Sequence, residues 1–165
     1  MDIIYTPWRM NFVAGKKGKD CIFCNHLKSK DDAKNFVLYR GKTAFIVMNL
    51  YPYSNGHLLV VPNRHLNKFD KLTPQELSEM MELAQLSVKI LTKTAKPQGF
   101  NMGMNIGKAA GAGIAGHLHL HIVPRWVGDA SFTTTACNIK FIPETIEGAY
   151  KRLKKTLKQE HRLRK

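Results

Sequence analysis

The apolar and polar positions along the chain first predict a set of strands. TAFIVMNL at 43–50 and GHLLVVP at 56–62 are apolar, β-branched segments on either side of the turn-like YPYSN, which predicts an antiparallel pair. FNMGMNIG at 100–107 alternates strictly between large apolar residues and small or polar ones, which predicts a half-buried strand. A glycine-rich turn then leads into LHLHIVP at 118–124, a further predicted strand.

Two later segments have the period of an amphipathic helix. Thr73 and Glu76 form a capping box with Pro74 at the first helical position, and this helix should end before Pro97. Its apolar stripe is predicted to contain Leu77, Met80, Met81, Ala84, Val88 and Leu91. A second helix is predicted over 144–159. Its apolar side consists of Ile146, Ala149, Tyr150, Leu153 and Leu157.

The order of these elements predicts the fold class. The strands come in adjacent runs and are not separated one by one by helices, which favours an α+β fold with a largely antiparallel sheet and helices on one face. A length of 165 residues is typical of a single domain. Within it we distinguish an N-terminal arm with a Cys-x-x-Cys pair at 1–34, a core at 35–140, and a C-terminal amphipathic helix with a basic tail at 141–165.

The strongly positive net charge of the chain indicates which kind of molecule it could bind. The formal net charge of +14 favours an anionic partner, which could be a nucleotide, a nucleic acid or a membrane surface. Much of this charge lies in the last fifteen residues, KRLKKTLKQEHRLRK. They fit either a solvated helix face or a nucleic-acid-binding stripe, although they lack the aromatic residues on which single-stranded bases stack.

Neither a membrane span nor a secretory signal is indicated. No apolar run approaches the roughly 20 residues that a membrane-spanning helix needs. The first ten residues, MDIIYTPWRM, do not have a basic segment followed by an apolar one. We therefore expect a cytoplasmic protein that is not a membrane protein.

The candidate chemistry lies in GHLHLHIVPR at 116–125, where three histidines occupy every second position. Side chains alternate between the faces of a strand, so His117, His119 and His121 should share one face. Two uses of such a row remain open: metal binding, since imidazole is a common zinc ligand, and nucleophilic catalysis at phosphorus. The preceding glycine-rich turn offers backbone N–H groups for an anion and favours the phosphate interpretation.

The same segments resemble a known family. HLHLHIVPR resembles the histidine triad (HIT) signature, and the resemblance extends to CIFC, MNLYPYSNGHLLVVPNRH, the capped helix and FNMGMNIG. TPWRM and MNLYPYSNGHLLVVP look like the branch of bacterial diadenosine tetraphosphate (Ap4A) phosphorylases. The resemblance implies a HIT-like fold with a five-stranded antiparallel sheet and two main helices, a homodimer, and nucleotidyl transfer through a nucleotidyl-histidine.

The resemblance also implies roles for individual residues. His119 would be the nucleophile, His117 and His121 would orient it and contact the phosphate, and His57 would help to hold the triad. The expected nucleotide-binding residues are Asn49 for the ribose, Leu50 and Tyr51 for the base, and Asn105 with Gly111, Ala112, Gly113 and Ile114 for the α-phosphate.

One departure from the family pattern leaves the acceptor open. Many hydrolases of the family have glutamine where this chain has Gly113, so a side chain that binds the phosphoryl group is missing. Similarity to the phosphorylase branch favours phosphate as the acceptor. The alternatives are a hydrolase of nucleoside phosphoramidates or dinucleoside polyphosphates with water as the acceptor, and a non-catalytic protein that binds nucleotides or nucleic acid.

A structural zinc site is implied as well. Cys21 and Cys24 alone are a modest signal, because short cysteine pairs also occur in ordinary cores. Several relatives with this pair bind zinc through both cysteines and two histidines, which correspond to His65 and His117 here. The resulting Cys₂His₂ set has the composition of tetrahedral zinc sites.

Overall fold

A computed structural model of the chain describes residues 21–129 and 142–162. Most of the predicted N-terminal arm, the segment 130–141 and the last three residues of the basic tail lie outside these ranges. Within them, no helix is long and apolar enough to cross a membrane.

The described residues form one antiparallel sheet of five strands in the order β1-β2-β3-β5-β4. The strands are β1 (Val37–Arg40), β2 (Ala44–Met48), β3 (Leu58–Pro62), β4 (Gly99–Gly103) and β5 (Leu120–Arg125). The helices are α1 (Ile22–Lys28), α2 (Pro74–Ala95) and α3 (Ile146–Arg162), with short 3₁₀ turns at Phe69–Lys71 and Lys108–Ala110. The predicted α+β fold with a five-stranded antiparallel sheet is confirmed.

The sheet separates two hydrophobic clusters. Alternate residues of β2 and β3 contribute to opposite clusters, so both strands are buried on both faces and read as continuous apolar runs. On one face, α2 and α3 pack on the larger cluster, as predicted. On the other face, α1 contributes Phe23 to the smaller cluster, whose other buried members are Val37, Phe45, Val47, Leu59 and Val61.

Local signals correctly predicted the long helix α2. The Thr73 side chain accepts from the Glu76 amide and the Glu76 carboxylate accepts from the Thr73 amide, so the capping box is formed. The helix ends at Ala95, and Lys96 caps it with φ of 45°. The stripe prediction was wrong for Met81, which is 46% exposed, because Leu83 and Ile90 face the core instead.

Helix α3 has the predicted apolar side, but its bounds are shifted to Ile146–Arg162. Buried Glu160 forms ion pairs with Lys89 and Lys93 of α2 and thereby joins the two helices. Lys154 Nζ donates to the carbonyls of Val37 and Leu38 at 3.3 and 2.6 Å. Helix α3 thus covers backbone acceptors of the edge strand β1.

Two of the predicted strands need correction, and one further strand was not predicted. The strand predicted over 100–107 spans only Gly99–Gly103, since its pairing with β5 ends where Gly103 meets His121. The triad strand begins at Leu120, so His117, at a bend, and His119 lie in the segment just before it. The residue pattern also did not predict β1, whose four residues alternate too briefly to be distinguished from a loop.

Candidate active site and metal cluster

The three triad histidines share one face of the sheet, as predicted. Leu118 and Leu120 between them pack into the larger hydrophobic cluster on the opposite face. This histidine face is not open to solvent. His117, His119 and His121 are only 1%, 6% and 9% exposed, because Phe23 of α1 packs on the first two rings and Tyr53 stacks on the third.

The hydrogen-bond network assigns the tautomer of His119. Its Nδ1 lies 2.9 Å from the backbone carbonyl oxygen of His117, and a carbonyl only accepts, so Nδ1 carries the proton. The lone pair of the neutral ring is therefore on Nε2. No protein partner of Nε2 is found among the described residues. His119 thus presents a nucleophilic nitrogen whose opposite side is held by the backbone.

A chain of hydrogen bonds likewise orients His57 and His121. The Tyr53 amide donates to His57 Nδ1 at 3.1 Å, so the His57 proton is on Nε2. This Nε2 lies 2.9 Å from His121 Nδ1, to which it donates. The His121 proton is consequently on Nε2, which is buried without a protein partner within the described residues. His121 is therefore poised to donate to a bound oxygen.

Burial keeps these rings neutral. It lowers the pKa of His57 to about 3, with smaller contributions from His121 and His119. Burial and the neighbouring His119 lower the pKa of His121 to about 4. Burial also lowers the pKa of His119, against the opposing effect of its hydrogen bond to the His117 carbonyl. Neutral imidazole is the form that can attack phosphorus.

The predicted metal ligands come together. The ligand atoms of Cys21, Cys24, His65 and His117 all lie within 4.8 Å of one another. His117 Nδ1 is 3.3 Å from Cys21 Sγ and 3.8 Å from Cys24 Sγ, and His65 Nδ1 is 3.3 Å from Cys24 Sγ. Zinc bond lengths and a tetrahedral angle require about 3.6 Å between sulfur and nitrogen ligands. The four residues can hold a metal ion.

One further hydrogen bond suits His117 to this role. Its Nε2 lies 2.8 Å from the backbone carbonyl oxygen of Pro62 and therefore carries the proton. The lone pair is left on Nδ1, which faces the two cysteines. A backbone carbonyl that fixes the tautomer of a ligating histidine is a common feature of metal sites.

The glycine-rich turn before the triad is anchored at both ends. The amides of Gly111 and Ala112 donate to the carbonyls of Lys108 and Gly107 at 3.0 and 3.4 Å. Ile114 packs on the smaller hydrophobic cluster, and its carbonyl accepts from the His117 amide. Of the four predicted phosphate-binding amides, those of Gly113 and Ile114 have no acceptor among the described residues.

The other predicted nucleotide-binding residues lie close to these elements in sequence. Asn105 is half-buried and follows by two residues Gly103, where β4 stops pairing with β5 opposite His121. The Asn49 side chain accepts from the Tyr51 amide at 3.0 Å and its Nδ2 lies 3.2 Å from His57 Nδ1. Leu50 and Tyr51 follow β2 and are half-buried.

Two aromatic residues of the site were missed by the sequence interpretation. The Phe23 ring lies 5.4 Å from that of His117 and 5.3 Å from that of His119, between centroids. The Tyr53 ring is stacked on His121 at 5.6 Å and is 55% exposed. The position of Phe23 between the two cysteines was the available signal for it, and Tyr53 carried none beyond its proximity in sequence to His57.

Comparison with known proteins gives relatives over most of the chain. The HIT domain family matches residues 30–127. AP-4-A phosphorylase of Mycobacterium tuberculosis is 37% identical over 151 residues, which cover 87% of this chain and 77% of that protein. The asymmetrical bis(5'-nucleosyl)-tetraphosphatase of Schizosaccharomyces pombe is 33% identical over 103 residues, 62% of this chain and 56% of that protein.

Solved structures agree with these matches. The crystal structure of a zinc-bound histidine triad family protein from Mycobacterium smegmatis is similar to this chain with a TM-score of 0.70 at 27% identity. The similarity covers 87% of this chain and 97% of that one.

The assigned tautomers can be checked by long-range ¹H–¹⁵N correlation of the imidazole rings. At neutral pH we expect His119 to be protonated on Nδ1, and His57 and His121 on Nε2. Since the folded pKa values of His57 and His121 are about 3 and 4, both rings should stay neutral from pH 8 down to about pH 5. The protein unfolded in urea is the control, with ordinary titration near pH 6.5. The reverse tautomer at His119, or a cationic His57 at pH 6, would contradict the assignment.

Proposed function

The chain belongs to the HIT domain family, and on that premise we propose that it cleaves dinucleoside polyphosphates through a nucleotidyl-histidine formed at His119. Similarity to the Ap4A phosphorylase branch, predicted from MNLYPYSNGHLLVVP, is confirmed. The observation that carries the proposal is the tautomer of His119, whose lone pair is on Nε2. Its ring lies 4.9 Å from that of His121, whose Nε2–H has no protein partner among the described residues. One nitrogen offers a lone pair and the other a proton.

The proposed reaction has two displacements. His119 Nε2 attacks the α-phosphorus, the P–N bond forms, and the bond to the bridging oxygen breaks with release of a nucleoside polyphosphate. The acceptor oxygen then attacks the same phosphorus and the P–N bond breaks, which restores the ring. His121 Nε2–H and the amides of Gly113 and Ile114 would donate to the non-bridging oxygens, where charge must be stabilised.

We propose phosphate as the acceptor, so that Ap4A and phosphate yield ADP and ATP. The support is the 37% identity to a phosphorylase over most of both chains. The position of Gly113 fits this choice, since within the described ranges no atom beyond its two chain neighbours lies within 4 Å of the place where its Cβ would be. The space would be available to a second phosphate. The second candidate uses water and is favoured by the 33% identity to a tetraphosphatase.

The metal cluster is proposed to bind zinc. Its Cys₂His₂ composition, its sulfur–nitrogen distances and the tautomer of His117 suit tetrahedral Zn²⁺. When bound, the ion would link α1 to the segments that carry His65 and His117. All four of its coordination positions would be filled by protein ligands. The positions of the protein's own residues would then be fixed. His117 holds His119 through its carbonyl, and Phe23 of α1 packs on both rings.

The other expectations from the sequence remain predictions. Contacts of Asn49 with ribose, of Leu50 and Tyr51 with a base, and of Asn105 and the amides with phosphate belong to the proposed substrate complex. The homodimer, the cytoplasmic location, the three-part division of the chain and any nucleic-acid binding by the basic tail also stay predictions.

Product analysis tests the reaction. The protein is incubated with Ap4A with and without inorganic phosphate, and nucleotides are resolved by ion-exchange chromatography. We expect ADP and ATP only when phosphate is present, and a loss of turnover of at least about 1,000-fold in His119→Ala. AMP and ATP without phosphate would indicate the hydrolase. Near-normal turnover by His119→Ala would refute the nucleotidyl-histidine in either form.

Metal analysis tests the cluster. Protein purified from zinc-replete medium should contain about one zinc per chain, and Cys24→Ala should contain less than about a tenth, because three ligands remain without a closed tetrahedral set. His57→Asn is the control: it changes the triad support but none of the four ligands, and it should keep its zinc while losing activity. Equal zinc contents in Cys24→Ala and the parent protein would contradict the assignment.

A further inference from the structure

The helix that covers the triad depends on contacts with the rest of the protein. Helix α1 has seven residues, too few to be stable alone. At its start, Cys21 and Cys24 reach the metal cluster. At its end, the Arg40 guanidinium donates to the carbonyls of His26 and Leu27 in the last turn and of Ser29 at the C-cap, at 2.7, 3.1 and 2.7 Å. These two attachments fix the helix over the sheet.

Phe23 is the residue by which this helix reaches the triad. Its side chain is 3% exposed and is followed along the helix by the metal-cluster residue Cys24. The ring is nearly perpendicular to that of His117, at 83° and 5.4 Å, and tilted by 52° to that of His119 at 5.3 Å. A single phenyl ring therefore contacts both an imidazole of the metal cluster and the imidazole with the free Nε2.

The contact restricts what His119 can do. The hydrogen bond to the His117 carbonyl holds one ring nitrogen, and packing limits the rotation about the side-chain bonds that this bond still allows. Phe23 supplies packing on one side and excludes water from it. Phe23 belongs to a packed cluster in which the centroid of the fully buried Phe45 ring lies 6.5 Å from its own.

We propose that Phe23 is a positioning residue, through which occupation of the cysteine–histidine metal cluster fixes the orientation of the His119 ring. Cys21 and Cys24 are held when the cluster is filled, and the Phe23 ring between them is then held against His119. Without the ion, the start of α1 loses an attachment, and the phenyl ring and the imidazole gain freedom together. Only the expected effect on kcat rests on the proposed function, and the expected effect on the His119 ring does not.

The primary test does not require turnover. Imidazole ¹H–¹⁵N correlations of His119 are recorded for the zinc-loaded protein and after removal of the ion with a chelator. We expect the His119 signals to shift and broaden on removal. In zinc-loaded Phe23→Leu they should resemble those of the chelator-treated parent, while zinc content stays near one equivalent.

Phe45→Leu is the matched control. It makes the same chemical change in the same cluster, but the Phe45 ring has no aromatic contact with a histidine in the described part of the chain. It should lower the melting temperature and leave the His119 signals unchanged. Kinetically, Phe23→Leu should lower kcat by about 10- to 100-fold with KM within about twofold, because positioning and not ground-state binding is lost.

Three results would overturn the proposal. One is an unchanged His119 spectrum after removal of zinc from the parent protein, which needs no variant to fold. Another is a parent-like spectrum and kcat in zinc-loaded Phe23→Leu. The third is an equal change in Phe23→Leu and Phe45→Leu, which would indicate general loosening of the cluster. A protein without turnover on Ap4A but with the expected spectra would contradict the proposed function alone.

Discussion

The hydrogen bond from His119 Nδ1 to the carbonyl of His117 determines what the rest of the site can do. With the proton held there, the neutral ring has its lone pair on Nε2, and no general base is needed to free it. The bond is local, between residues two apart, and it lies just before β5, where His117 is at a bend and outside the strand. His117 in turn is held by the Pro62 carbonyl, so the backbone of β3 fixes the nucleophile indirectly.

Burial makes this arrangement chemically useful. A histidine row facing water would titrate near its ordinary pKa and would be partly cationic in mildly acidic conditions. Here Phe23 of α1 packs on His117 and His119 and Tyr53 stacks on His121, and burial lowers the pKa of His57, His119 and His121, so these three rings remain neutral donors and acceptors. The same helix brings Cys21 and Cys24 to the cluster. Covering the triad and holding a metal ion are therefore two tasks of one short segment.

Elements stabilised by residues close in sequence could be predicted, and elements stabilised by distant parts of the chain could not. The capping box of α2 and the apolar side of α3 depend on neighbours within one or two turns, and both were predicted. Helix α1 was not, because Arg40 and the cysteine–histidine cluster stabilise it from distant parts of the chain. The short span of β4 depends on where β5 ends its pairing, which alternation in the sequence does not reveal.

For the site, spacing predicted that the histidines share a face, and the family resemblance predicted the metal ligands and His57. Burial of the row and the role of Phe23 depend on packing across the sheet and were not predicted. The tautomers follow from distances between atoms and so required coordinates.

The central claim, a nucleotidyl bond to His119 Nε2, is tested most directly by trapping it. The protein is mixed with Ap4A in the absence of phosphate, quenched rapidly in alkali, where a phosphoramidate survives, and digested for mass spectrometry. The account predicts an adenylyl group on the peptide that contains the triad, lost on brief acid treatment, with fragment ions that place it on His119. An adduct on a different residue, or ATP released with no adduct at any quench time, would contradict it.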